Sequence, residues 1–181
     1  VETQTIVAEN TDVQVAVPST AGFASAGTWT QQATGNVLEV VAPSTAGNKS
    51  WNIPLPLRSR TTASRGLSIV SIEVDYEITG AAPDEVALGL LRVDGGSPPT
   101  GTVILNITDA VTGYDAAHDT TAERVTVGVH ALTRTVAAPA YIAADAYYHL
   151  RWYVDGDALA LAVVTMRRVT LNCSETLVEL A

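Results

Sequence analysis

The stretch Leu67-Ser68-Ile69-Val70-Ser71-Ile72-Glu73-Val74-Asp75-Tyr76-Glu77-Ile78 decides the fold class. Val70, Ile72, Val74, Tyr76 and Ile78 fall on one side of a two-residue period. Ile69, Ser71, Glu73, Asp75 and Glu77 fall on the other. Such a segment is a long half-buried strand with one polar face. Downstream, Val86, Leu88, Leu90 and Arg92 interleave with Ala87, Gly89, Leu91 and Val93. Val103–Ile107, Val125–Val129 and, upstream, Val13–Val17 are further strand candidates. In the C-terminal third, Tyr148, Leu150, Trp152 and Val154 alternate with Tyr147, His149, Arg151 and Tyr153. Asp155-Gly156-Asp157 follows, and alternation then resumes through Leu159, Leu161 and Val163 to Leu171. An Asp-Gly between two alternating runs predicts a hairpin.

Turn clusters at 34–36, 80–84, 94–101 and 112–121 separate these runs. Val and Thr, both abundant, suit a pleated sheet. The Ala-rich stretch 137–146 contains Pro139 and gives at most one helical turn. Eight or more strands joined by turns predict an all-β fold, an antiparallel β-sandwich of jelly-roll type with very little helix.

The chain has 181 residues, enough for one domain with a proper core. Residues 18–181 are read as that domain, and 1–17 as an N-terminal strand arm. Apolar residues make up 47% and charged residues 16%, which excludes a disordered chain. No apolar run approaches the ~20 residues that span a bilayer, so no membrane is expected. Nineteen acidic against ten basic residues give a net charge of -9, which argues against a nucleic-acid partner. Cys173 is the single cysteine, so no intrachain disulfide forms.

A short repeat, Val17-Pro18-Ser19-Thr20-Ala21-Gly22 and Ala42-Pro43-Ser44-Thr45-Ala46-Gly47, follows two valine-rich runs. It reads as two equivalent strand-exit turns, with Pro fixing φ and Gly accepting a positive φ.

Catalytic patterns are sparse. His118, His130 and His149 are scattered, no G-x-S-x-G occurs, and no triad or enzyme is expected. The loop holding Asp109, Asp115, His118, Asp119 and Glu123 lacks calcium-loop spacing, so neither metal nor cofactor is expected. Glu73, Asp75 and Glu77 form an acidic strand face, with Arg58, Arg60 and Arg65 upstream as natural partners. Three sequons in a Thr- and Ser-rich chain are expected by chance. Exposed aromatics can stack sugar rings. Among Trp29, Trp51, Trp152, Tyr114, Tyr141, Tyr147 and Tyr153, the loop residue Tyr114 is the best exposed candidate for glycan contact, while Trp152 and Trp51 read as core.

The run Lys49-Ser50-Trp51-Asn52-Ile53-Pro54-Leu55-Pro56-Leu57 leads through Arg58-Ser59-Arg60 to Gly66–Val74, then to Leu90–Asp94 and, after a long loop, Tyr147–Trp152. This order resembles small jelly-roll or sandwich proteins of tailed-phage particles over residues 49–171. The resemblance implies a non-enzymatic virion structural protein, located in the virion: capsid decoration or cement, head fibre or tail-associated. Its partners would be capsid or other virion proteins, commonly with a homotrimeric assembly. The alternative is a carbohydrate-binding module or receptor-binding domain that uses exposed aromatics on a surface glycan.

Low charge and high apolar content also predict a homo-oligomer, a trimer for preference. In that picture Val13, Val15 and Val17 of the arm add to a neighbour's sheet edge. Arg58, Arg60 and Arg65 then meet Glu73 or Asp75 of the next subunit.

Overall fold

A computed structural model describes the backbone of residues 6–180, except 36, 56, 58–63, 96–98, 109–111, 142–145 and 157–160. At 6–10, 64–66, 138–141 and 176–180 it describes the backbone alone. The eleven strands among these residues are β1 (Ile6–Val17), β2 (Phe23–Ala26), β3 (Thr30–Thr34), β4 (Val37–Ala42), β5 (Gly47–Pro54), β6 (Ser64–Thr79), β7 (Glu85–Asp94), β8 (Thr100–Leu105), β9 (Gly128–Tyr141), β10 (Ala146–Gly156) and β11 (Val163–Leu180). One helical turn, α1 (Thr121–Arg124), and a 3₁₀ turn, Ser19–Ala21, complete them. No helix among the described residues is long and apolar enough to cross a membrane.

The strands form two antiparallel sheets. The six-stranded sheet runs β3-β4-β11-β6-β9, with β1 also on β11. The five-stranded sheet runs β2-β5-β10-β7-β8. Successive strands from β4 to β7, and again from β8 to β11, cross between sheets, which is the winding of a jelly roll. The core lies between the sheets. Ile72, Val74, Tyr76, Ile78, Val164, Met166, Val169 and Leu171 from the larger sheet meet Val86, Leu88, Leu90, Leu150, Trp152 and Val154 from the smaller. Tyr76 and Trp152 touch across the gap, ring centres 5.0 Å apart.

Three expectations change. Asp155-Gly156 does not close a hairpin. β10 lies in the smaller sheet and β11 in the larger, so this turn begins a crossing between layers. Gly80 begins a similar crossing from β6 to β7. Its φ of 83° is open to glycine, and a Cβ there would strike the Leu161 carbonyl oxygen.

Second, the alternation of β6 breaks at its start. Ser71 faces Asn172 and Ile69 faces Cys173, so Val70 is the extra residue of a bulge. The bulge turns Ile69 into the core and leaves Val70 exposed.

Third, β1 has a partner within its own chain. It pairs with β11 of its own chain from Ile6↔Leu180 to Val17↔Val169. Val17 is buried there, and Val13 and Val15 pack half-buried on the core. The backbone groups that argued for an exchanged arm are already satisfied, because β11 outruns β4 and leaves its edge open to β1.

The repeat keeps its role and loses its equivalence. Both copies leave the larger sheet for the smaller. The first does so through the 3₁₀ turn with Gly22 at φ -94°. The second has a Thr45 N–H to Pro43 carbonyl bond of 2.7 Å and Gly47 at φ 90°. Only the second copy uses the freedom of its glycine.

Candidate functional site

Tyr114, expected at the surface, is 9% exposed. It pairs with Arg134 as an isolated bridge, and its ring lies between two guanidiniums. Arg124 stands 4.2 Å and Arg134 4.3 Å from its centre. The hydroxyl accepts from the Leu88 N–H at 3.1 Å and from Arg134 Nη1 at 3.3 Å. Arg124 and Arg134 are 0% and 1% exposed. Arg124 donates to the carbonyls of Val86 and His118 at 2.9 and 2.8 Å. Arg134 donates to those of Asn106 and Thr112 at 3.0 and 3.1 Å, and to that of Leu88. Two arginines and a tyrosine thus tie the 106–124 loop to the sandwich. The sequence gives no hint that a tyrosine in a loop is enclosed by two arginines distant in the chain.

Beside it runs a polar chain. Asp115 accepts from the His118 ring at 2.8 Å, His118 Nε2 meets His130 Nδ1 at 3.3 Å, and His130 Nε2 meets the Thr126 carbonyl at 2.8 Å. Burial alone would push the Asp115 carboxyl up. The Thr133 N–H, the His118 ring and the Ala117 N–H outweigh it and hold the carboxyl below its ordinary value. Glu123 caps α1 in a capping box with Thr120. Asp109 lies outside the described residues. Among the described residues, no three His, Cys, Asp or Glu side chains form a metal-binding group. Cys173 is buried, which pushes its thiol up to about 11.

The acidic face of β6 is paired within the chain. Met166 faces Tyr76 and Arg168 faces Asp75, so Arg167 is a bulge residue, and both arginines emerge on the outer side. Arg168 bridges Asp75 at 2.7 Å and Glu73 at 3.4 Å. Arg167 bridges Glu39 at 2.9 Å and also Glu77. The partners of Glu73 and Asp75 are therefore downstream. Arg58 and Arg60 lie outside the described residues, as does the side chain of Arg65.

The outer face of the five-stranded sheet is built differently. Along β10 the even-numbered residues Tyr148 to Val154 enter the core, which turns Tyr147, His149, Arg151 and Tyr153 outward. Tyr147 is 71% exposed and the other three are half-buried. Neighbouring strands supply Phe23, 49% exposed, and Asn52, with Asn48 at the far end. Register sets Phe23, Asn52, Arg151 and Gly89 in one row across four strands. Phe23 meets the His149 ring edge-on, centres 6.4 Å apart. Arg151 Nε reaches Asn52 Oδ1 at 3.4 Å. Ile107 folds over Gly89 and walls the β8 side.

At the far end, Asn48 can turn its amide nitrogen to Asp155, at 2.9 and 3.0 Å, and to the Tyr153 hydroxyl at 3.0 Å. Burial lowers the His149 pKa and raises that of Tyr153, the latter helped by Asp155 and Glu85, so both rings are neutral at neutral pH. Aromatic rings here alternate with planar donors and acceptors on a stiff sheet.

The three tryptophans lie elsewhere. Trp152 is core, and Trp51 is buried with its indole N–H donating to the Ser19 carbonyl at 3.0 Å. Trp29 packs on Trp51, centres 5.7 Å apart. The side chain of Tyr141 lies outside the described residues. The signal for the outer face was present in the sequence, as the residues out of phase with Trp152.

No family model matches the chain, and no curated protein matches it in sequence. Several solved structures align with it at low identity. A family two carbohydrate esterase from Cellvibrio japonicus aligns over 93% of this chain, with TM-score 0.41 and 7% identity. The chain spans 36% of that protein's length. The C-terminal family 6 carbohydrate-binding module of a marine laminarinase from Zobellia galactanivorans aligns over 88% of this chain and 98% of its own, with TM-score 0.40 and 8% identity. A family 30 carbohydrate-binding module of a cellulosomal cellulase from Clostridium thermocellum aligns over 88% and 96%, with TM-score 0.37 and 12% identity. At these values no residue role passes from those proteins to this one.

Proposed function

We propose that this chain is a non-catalytic binding module that holds a glycan on the outer face of its five-stranded sheet. One observation carries the reading: Phe23, Tyr147, His149 and Tyr153 share that face with Asn48, Asn52 and Arg151. A sugar ring has an apolar C–H face and a rim of hydroxyls. It is matched by aromatic faces set among planar polar groups, which is the composition seen here. Neutral rings of Tyr and His suit stacking, and the sheet holds them in place before the ligand arrives, so little ordering entropy opposes binding. Outward residues on one strand repeat at about 6.6 Å, so Tyr147 to Tyr153 span roughly 20 Å, room for several sugar units in a row.

A glycan array, followed by titration calorimetry on any hit, tests this. Saturable binding is expected, with Tyr147→Ala and Phe23→Ala each weakening it about tenfold, as loss of a stacked ring does. Binding unaffected by both variants contradicts the reading. The virion role implied by the resemblance makes a different demand: capture on empty capsids at a ratio matching lattice sites, with no dependence on those aromatics.

A further inference from the structure

Among the described residues, Arg151 stands apart from the other arginines. Arg92 lies 2.5 Å from Asp94, Arg167 and Arg168 bridge acids of β4 and β6, and Arg124 and Arg134 are enclosed by backbone carbonyls. Arg151 meets neither a carboxylate nor a backbone carbonyl among the described residues. Its Nε has a long 3.4 Å contact to the Asn52 amide oxygen, its one hydrogen bond among the described residues. It is also central: His149 and Tyr153 flank it on its own strand, and Asn52 and Gly89 lie beside it. Gly89 contributes no side chain that could bond the guanidinium, and Ile107 closes that side with an apolar wall.

A guanidinium set among aromatics with no carboxylate partner among the described residues can receive an anion. We infer that Arg151 receives the carboxylate of an acidic sugar, a uronate, whose ring lies on the neighbouring aromatics. This rests on the glycan reading above and names its ligand class. A guanidinium fork matches a planar carboxylate with two parallel N–H···O bonds. The Asn52 amide nitrogen remains available to a ring hydroxyl next to that carboxylate. Repulsion from the protein's own acids is weak at this point. Among the described residues, Asp155 and Glu85 are the acids of the same face, and they sit four positions along the strands, roughly 13 Å away and beyond the screening length of about 8 Å at physiological salt. Asp94 is already neutralised by Arg92.

The test is calorimetric titration of a galacturonate hexamer and its full methyl ester, which differ in charge and hardly in shape, alongside a neutral cello-oligosaccharide and a sulfated galactan. The acid form is expected to bind about tenfold to a hundredfold tighter than the ester, the range of a charge-assisted hydrogen-bond pair. Raising salt from about 0.05 to about 0.5 M erodes that advantage. Arg151→Ala removes it, so that acid and ester then bind alike, and its urea-unfolding midpoint reports separately that the variant is folded. Arg151→Lys keeps part of it, and serves alone if the alanine variant does not fold. Equal affinity for acid and ester, or a preference that survives in Arg151→Ala, overturns the uronate assignment and leaves the glycan reading standing. Tighter binding of the sulfated galactan than of the uronate also overturns it. No binding by any of the four overturns the glycan reading as well.

Discussion

Tyr114 shows how much one side chain depends on surroundings that its neighbours in sequence do not announce. Tyr114→Phe keeps the ring between the two guanidiniums and removes the hydroxyl that accepts from the Leu88 N–H and Arg134. Arg134 Nη1 keeps the Leu88 and Asn106 carbonyls, so the Leu88 N–H is the donor that loses its acceptor, and a loss of about 1–2 kcal/mol in urea unfolding is expected, with glycan affinity unchanged. Loss of binding with full stability would return Tyr114 to the site. Asp115 gives the matching pH dependence. Its carboxyl is held below the ordinary value in the fold, so its contribution is complete above the unfolded value of 3.8 and fades as pH falls through the folded one. Asp115→Asn is therefore expected to lower stability at neutral pH and to flatten its decline as pH falls below 3.8. An unchanged acid slope would show that Asp115 does not carry it.

At the scale of elements, the two bulges matter most. Because Arg167 is an extra residue in β11, it and Arg168 emerge side by side and neutralise acids on two neighbouring strands. Their energies should differ. Glu39 is buried to 5% exposure and, with Thr34, Gln32 and Arg167 donating to it, its carboxyl is held low. Arg167→Ala leaves that buried carboxylate short of its cation and is expected to cost about 1–3 kcal/mol. Arg168 lies on the open face, and Arg168→Ala is expected to cost no more than about 0.5 kcal/mol. Equal costs in chemical unfolding would contradict this division. The same bulges mark where the sequence is readable. Period-two patterning identifies β6, β7 and β10 and their inner faces, because each inward residue meets a core that rewards alternation. It fails at Val70 and at Arg167, where one inserted residue reverses the faces and leaves no local trace. It fails again at Asp155-Gly156, since turn chemistry is alike whether a chain returns to the same sheet or crosses to the other. The outward set on β10 is legible as a face; that Phe23 and Asn52 join it depends on strand order, which residue types do not encode.

For the whole molecule, β1 is part of the sandwich that the rest of the chain forms. It covers the free edge of β11 and buries Val17. Removing residues 1–17 is expected to cost about 3–5 kcal/mol, from three valines at roughly 1.5 kcal/mol each, and to lower the melting temperature accordingly. A truncated chain with an unchanged melting temperature would mean that β1 contributes little to this sheet. The trimer expected from composition stands as a separate proposal, and β1 pairs within this chain.

The central claim is that the outer face of the five-stranded sheet is where this protein meets its ligand. Backbone amide shifts followed by NMR during titration with the best-binding oligosaccharide test it directly. Saturable shifts are expected at Tyr147 to Tyr153, at Asn52 and at Phe23, with β4 and β6 of the opposite sheet silent. Shifts gathered instead around Leu38 and Arg168 on that opposite sheet, or none at saturating sugar, would contradict the account.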